Sequence, residues 1–215
     1  MKKLGIGCAI LAILGLVVLI VVALAGGSYN RLVRRSQEVD KQWAQVQNVY
    51  QRRSDLIPNL VSTVSGAANF EKSTLTEITE ARASVGQVKV DPNAAPTDPA
   101  KLAEFERAQG QLSSALSRLL VVVERYPDLK ATQNFQTLQT QLEGTENRIS
   151  VERRNFNEAV QAYNTALKSF PTVLYAGLFG FRERPYFAAA PGAETAPKVK
   201  FDFNKPSAAP PAEKP

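Results

Sequence analysis

At 215 residues the chain has room for one ordinary domain with appendages, and its formal net charge of +6 is moderate for that length. It contains no histidine and a single cysteine, Cys8. Those two facts exclude a Ser-His-Asp or Cys-His nucleophile, a histidine-based metal site, a phospho-histidine relay and a disulfide within one chain.

Lys2 and Lys3 precede an uncharged run from Leu4 to Ala25 that is rich in Leu, Ile, Val and Ala. As a helix, a run of this length extends about 33 Å, enough to cross a hydrocarbon core of about 30 Å. The competing reading is a cleaved signal peptide, supported by the small-x-small end Ala23-Leu24-Ala25. A signal peptide's apolar region is usually only about 7–15 residues, so an uncleaved transmembrane anchor is expected over residues 1–27. Cys8 has almost no apolar sequence before it, which argues against lipid attachment there and for a small apolar residue inside the span. Positive charges are nearly balanced on the two sides, with Lys2 and Lys3 facing Arg31, Arg34, Arg35 and Lys41. The signal-like layout favours an extracytoplasmic domain.

Beyond Gly26-Gly27 the apolar residues recur at intervals of three and four. Leu32, Val39, Trp43, Val46, Tyr50, Ile57, Leu60 and Val64 mark one face of a long helix. Pro58 lacks an N–H and crowds the preceding turn, so a kink or a restart capped by Asp55 is expected there, with a break near Asn69. A second helix should run from about Phe70 to Val85, with Leu75 and Ile78 inward, and stop at Gly86. The three prolines at 92, 96 and 99 make the following stretch a loop.

Asp98-Pro99 reads as the cap and first position of a third helix, whose stripe is Leu102, Phe105, Leu112, Leu116, Leu119 and Val123. Tyr126-Pro127-Asp128 is a turn, and Thr132 is the expected cap of a fourth helix. The seam of that helix reads Phe135, Leu138, Leu142, Thr145, Ile149, Glu152, Phe156, Val160, Tyr163, Leu167 and Phe170, closed by Pro171. Single amphipathic helices cannot hide such stripes alone. The fold class is therefore all-α: a transmembrane helix followed, over residues 28–185, by a long antiparallel up-and-down bundle of three to four helices. From residue 186 to 215 six prolines and eight alanines dominate, and a tail without its own core is expected. Within it, Val199, Phe201 and Phe203 alternate and could add an extended stretch to a partner.

Two charges fall on apolar stripes, Arg53 on the first helix and Glu152 on the fourth. An unpaired charge on a buried seam costs several kcal/mol, about 3–5 when burial is complete, so the two are expected to pair across the bundle, directly or through one further polar group. The region from Arg52, Arg53 and Asp55 to Asn59, facing Asn147, Glu152 and Arg153, is the candidate interaction surface or polar register site. The basic residues alternate with acidic ones, which argues against nucleic-acid binding. No glycine-rich phosphate loop is present, and carboxylate bundles that hold metals use Glu-x-x-His repeats, so neither cofactor nor metal is expected.

Several local sequences together resemble one family. They are Tyr29-Asn30, Trp43, the run Gln51-Arg52-Arg53-Ser54-Asp55-Leu56-Ile57-Pro58-Asn59-Leu60-Val61, Tyr126-Pro127-Asp128-Leu129-Lys130, Thr145-Glu146-Asn147, Tyr163-Asn164, Phe170-Pro171 and Gly180-Phe181. From about residue 4 to Phe187 the chain resembles the LemA family. The resemblance implies a bacterial envelope protein with a helical bundle, working at membranes in complexes, and no established catalytic activity. The leading expectation is thus a non-enzymatic, membrane-tethered interaction module of the bacterial inner membrane: an adaptor, scaffold or assembly factor. It would contact lipid through residues 4–25 and an unidentified envelope protein through its bundle, and a homo-oligomer is compatible with the pattern. The alternative is an envelope sensor that binds a small molecule or lipid between the helices. An apolar pocket with a few converging charges would favour the sensor, and a close-packed bundle the interaction module.

Overall fold

A computed structural model describes residues 2–67 and 70–188, with side chains at 13–16, at 19 and from 26 onward. Every regular element among the described residues is helical: α1 (Lys2–Ser65), α2 (Lys72–Gln87), α3 (Pro99–Val123), α4 (Pro127–Lys130), α5 (Gln133–Lys168) and a 3-10 turn, Thr172–Leu174. Helix α1 descends, α2 returns, α3 descends again and α5 climbs back along α1, giving the expected up-and-down bundle. The eight stripe positions named for α1 are all buried, as are the six named for α3.

Helix α2 flanks the lower half of the α1–α5 pair, and α3 runs from there into the upper half, where Leu102 and Phe105 are buried. In the lower half, Ile57, Leu60, Ile78, Leu112, Leu119 and Phe135 make one apolar core. Higher up, Trp43, Phe105, Phe156, Val160 and Tyr163 make a second. Full burial of a side chain such as Phe156 contributes about 1.5–3 kcal/mol. The upper core is closed by the 88–98 loop and by the extended segment after residue 180. Trp43 Nε1 holds the loop by donating to the Asp91 carbonyl at 2.9 Å, and the Ala95 N–H donates to Asp40 Oδ1 at 2.9 Å.

The helix starts follow their capping residues. Asp98 Oδ1 accepts from the Ala100 N–H at 2.9 Å, with Pro99 in the first turn, where a missing N–H costs nothing. Thr132 Oγ1 accepts from the Phe135 N–H at 3.4 Å. At Gly180 the chain reverses with φ +79, a left-handed conformation that a Cβ would strain, and the Phe181 N–H closes the turn on the Ala176 carbonyl at 3.0 Å.

Four expectations are corrected. Helix α1 does not restart at Pro58 but runs on through it, and Asp55 is no cap but accepts from Gln51 Nε2 one turn earlier at 2.7 Å. Phe70 precedes α2 instead of opening it, and is buried against Tyr126 at 5.0 Å between ring centroids. The turn at Tyr126-Pro127-Asp128 is a full helical turn, α4. Glu152 and Phe170 leave the α5 seam: Glu152 is half-buried, and Phe170, beyond the end of the helix, is 80% exposed.

Among the described residues no helix is long and apolar enough to cross a membrane. Most side chains of the 4–25 run lie outside that description, as do Asn69 and residues 189–215 with Val199, Phe201 and Phe203. Past residue 185 the packed chain continues, and Phe187 is buried in the upper core.

Candidate functional site

Arg53 lies at the centre of the bundle, 1% exposed, where the two apolar cores meet. Its Nη1 donates to Glu146 Oε1 at 2.7 Å and to Ser113 Oγ at 2.6 Å. Its Nη2 donates to Gln109 Oε1 at 2.5 Å and to the Gln109 carbonyl at 3.3 Å. The guanidinium carbon also stands 5.1 Å from the Tyr50 ring centroid. One arginine thus ties α1, α3 and α5 together. Its Nε is buried without a hydrogen-bond partner.

The expected Arg53–Glu152 pair is not formed; Glu152 accepts instead from Asn155 Nδ2 at 3.2 Å. Antiparallel register gives the reason. Trp43 meets Phe156 across the seam at 5.7 Å between ring centroids. Moving from Trp43 to Arg53 along α1 must be matched by an equal step back along α5, which arrives at Glu146. Glu152 is six residues further, about 9 Å along the axis. Glu146 keeps 46% of its side chain exposed, so one end of the pair stays in water while the other is dry.

The remaining candidates separate. Asn147 joins Arg53 and Glu146 in lining an open groove of about 370 Å³ between α3 and α5. Arg52, Asp55 and Asn59 lie on the exposed face of α1. Arg153 belongs to a different cluster: it pairs with Glu106 at 2.8 Å, donates to the Ala188 carbonyl at 3.0 Å and stands 4.7 Å over the Phe187 ring. Burial pushes the Glu106 carboxyl up, opposed by the Arg153 guanidinium and by a hydrogen bond from the Ala188 N–H. Burial likewise raises the Tyr50 phenol, with Arg153 and Arg53 opposing.

Unforeseen in the sequence is the ladder that holds the segment 181–188. Asn164 Oδ1 accepts from the Arg184 N–H at 3.0 Å, and its Nδ2 donates to the Arg184 carbonyl at 2.9 Å. Asn157 repeats this with Phe187, at 2.9 and 3.1 Å. Seven helical residues rise about 10.5 Å and three extended residues about 10 Å, so the two asparagines reach backbone groups three residues apart on an extended chain running antiparallel to α5. Each amide side chain pairs with both the N–H and the carbonyl of one strap residue. Arg184 then reaches across to α1, 3.5 Å from Asp40, and hydrogen-bonds the Ala95 carbonyl. Gln109, a polar residue on the α3 stripe between Phe105 and Leu112, was a readable sign of a buried polar centre. Arg184 carried no such sign.

Grooves of 370 to 720 Å³ lie between helices and at the α3–α5 turn, each open to solvent. Among the described residues no group of three or more His, Cys, Asp or Glu side chains is placed to hold a metal ion. Fold and polar centre together define a packed four-helix bundle pinned by one buried arginine and closed by an asparagine-laddered strap. The LemA family's sequence model matches residues 42–201, and the chain belongs to the LemA family. It is 28% identical over 146 residues to Protein LemA of Metamycoplasma hominis, covering 68% of this chain and spanning 62% of that relative's length. It is 27% identical over 182 residues to magnetosome protein MamQ 2 of Paramagnetospirillum magneticum, covering 78% of this chain and 67% of the relative. Magnetosome protein MamQ of Magnetospirillum gryphiswaldense is 27% identical over 189 residues, with the same coverage of 78% and 67%.

Proposed function

We propose that this chain is a membrane-tethered, non-catalytic interaction module of the bacterial cell envelope, with its bundle outside the cytoplasm. One observation carries the reading: the apolar run Leu4–Ala25 and the core stripe from Leu32 to Val64 share a single uninterrupted helix of 64 residues, about 96 Å long. A bundle continuous with its own span is held at a fixed attitude to the bilayer, which suits a scaffold. The names of the magnetosome relatives attach those proteins to the magnetosome, and neither they nor Protein LemA are named for a reaction. Exposed Arg52, Asp55 and Asn59 on α1, with Asn147 beside the Arg53–Glu146 pair, offer a polar face to a protein partner.

Photo-crosslinking in living cells tests this. A crosslinker at Asn59 or Asn147 should give discrete adducts in the membrane fraction that a crosslinker at Glu80 on α2 does not. Identical patterns from all three positions would contradict a dedicated face. The second reading, a sensor with a ligand between helices, draws on the unpartnered Arg53 Nε beside the 370 Å³ groove. The other nitrogens of Arg53 are engaged by protein groups, which favours the structural role.

A further inference from the structure

The upper end of the bundle carries an apolar face that no part of the described chain covers. Phe170, Leu174 and Leu178 are 80, 70 and 87% exposed, and Val173 and Phe179 are also exposed, all within residues 170–179, just after α5. Monomeric domains rarely leave so many large apolar groups together in water. Tyr175 places this segment against the start of the bundle, since its hydroxyl donates to Ser28 Oγ at 2.7 Å. Phe179 packs edge-on to Tyr29 at 5.3 Å between ring centroids.

Ser28 and Tyr29 follow the apolar run by three and four residues. On a continuous helix Tyr29 therefore lies about 6 Å beyond Ala25. The polar interface of a bilayer adds about 5–7 Å on each side of its hydrocarbon core. If the run spans the core, Tyr29, Tyr175 and Phe179 stand at headgroup depth, where amphipathic aromatic rings collect. Just beyond that level, Arg31, Arg34 and Arg35 on α1, with Arg182 after the turn, supply positive charge suited to anionic lipid.

We infer that residues 170–179 form a second membrane contact, an apolar pad that lies in the bilayer interface beside the helix as it emerges. The inference rests on the tethered reading above and adds to it a surface, its depth and its lipid partner. A bundle held at two points cannot swing about its anchor, so its working face is fixed in height and rotation.

Environment-sensitive fluorophores in the full chain test it, in phosphatidylethanolamine–phosphatidylglycerol vesicles that carry spin-labelled acyl chains. One label goes on native Cys8. Others go on Leu178→Cys and Gln141→Cys, each in a Cys8→Ser background, with thermal melts to verify that both variants fold. The Leu178→Cys label should be quenched several-fold more by shallow spin labels than the Gln141→Cys label, and should be shielded from iodide. Quenching at Cys8 with iodide access at Leu178→Cys equal to that at Gln141→Cys would overturn the pad and leave the anchor standing. An unquenched Cys8 label would remove the anchor, and the pad with it. Shielding from iodide at Leu178→Cys without lipid quenching would put a second copy of the chain on this face, and would also overturn the proposal.

Discussion

The guanidinium of Arg82 on α2 donates through Nε to the Ser54 carbonyl of α1 at 3.3 Å. That carbonyl is the one left without its helical partner by Pro58, four residues on, which has no N–H to give. The neighbouring helix supplies the missing donor, and α1 continues where an isolated helix would break. Arg82→Ala should cost about 0.5–1.5 kcal/mol in the wild-type background. In Pro58→Ala the backbone N–H of residue 58 takes over the carbonyl, so the same change should cost less. Denaturant melts of the four proteins in this cycle measure the difference, and additive losses would mean that Arg82 plays no such part.

Arg53 and Glu146 should behave asymmetrically. Glu146→Leu strands a dry guanidinium and is expected to cost about 3–5 kcal/mol, even though the carboxylate is nearly half exposed. Arg53→Met leaves a carboxylate that can turn to water and should cost less. The double variant should recover much of the Glu146→Leu loss. Glu152→Leu, by contrast, should stay within about 0.5 kcal/mol and show no coupling to Arg53.

The asparagine ladder has its own readout. Asn157→Leu and Asn164→Leu each remove two hydrogen bonds to the strap, and hydrogen exchange at the Phe187 and Arg184 amides respectively should accelerate. Global stability should fall by about 1–3 kcal/mol for each. Unchanged protection at both amides would show that the strap is held by its side chains alone.

Burial raises the Glu106 carboxyl above its usual value of 4.5 despite Arg153. The folded state therefore holds this proton more tightly than the unfolded chain, and the resulting stability is full below the unfolded value. It is lost as pH rises through the folded one. Stability of the wild type relative to Glu106→Gln should accordingly decline as pH climbs from about 4 through the upper carboxylate range. Thermal melts across that range check the sign, and a rise in its place would mean that Arg153 outweighs burial.

Periodicity carried most of the bundle. Stripes at three and four residues named the buried faces of α1 and α3, and Asp98 and Thr132 named two helix starts, because burial and capping are local consequences of residue order. Register between helices is not local. Arg53 was visible as a charge on an apolar stripe, but its partner depends on how far α5 slides along α1, which is set by the packed seam that includes the Trp43–Phe156 contact. Pro58 misled for a related reason, since the donor that rescues Ser54 comes from another helix. The strap was hidden because Arg184 and Phe187 form no repeating pattern of their own; they borrow their order from Asn157 and Asn164.

Tethering by an uncleaved span underlies both the interaction role and the membrane pad, and one fractionation tests it. Membranes from cells producing the chain are washed with alkaline carbonate, and the N-terminus of the retained protein is read by mass spectrometry. Tethering requires the 23.5 kDa chain to stay in the pellet with a sequence beginning at Met1. A soluble product beginning near Gly26 would contradict it.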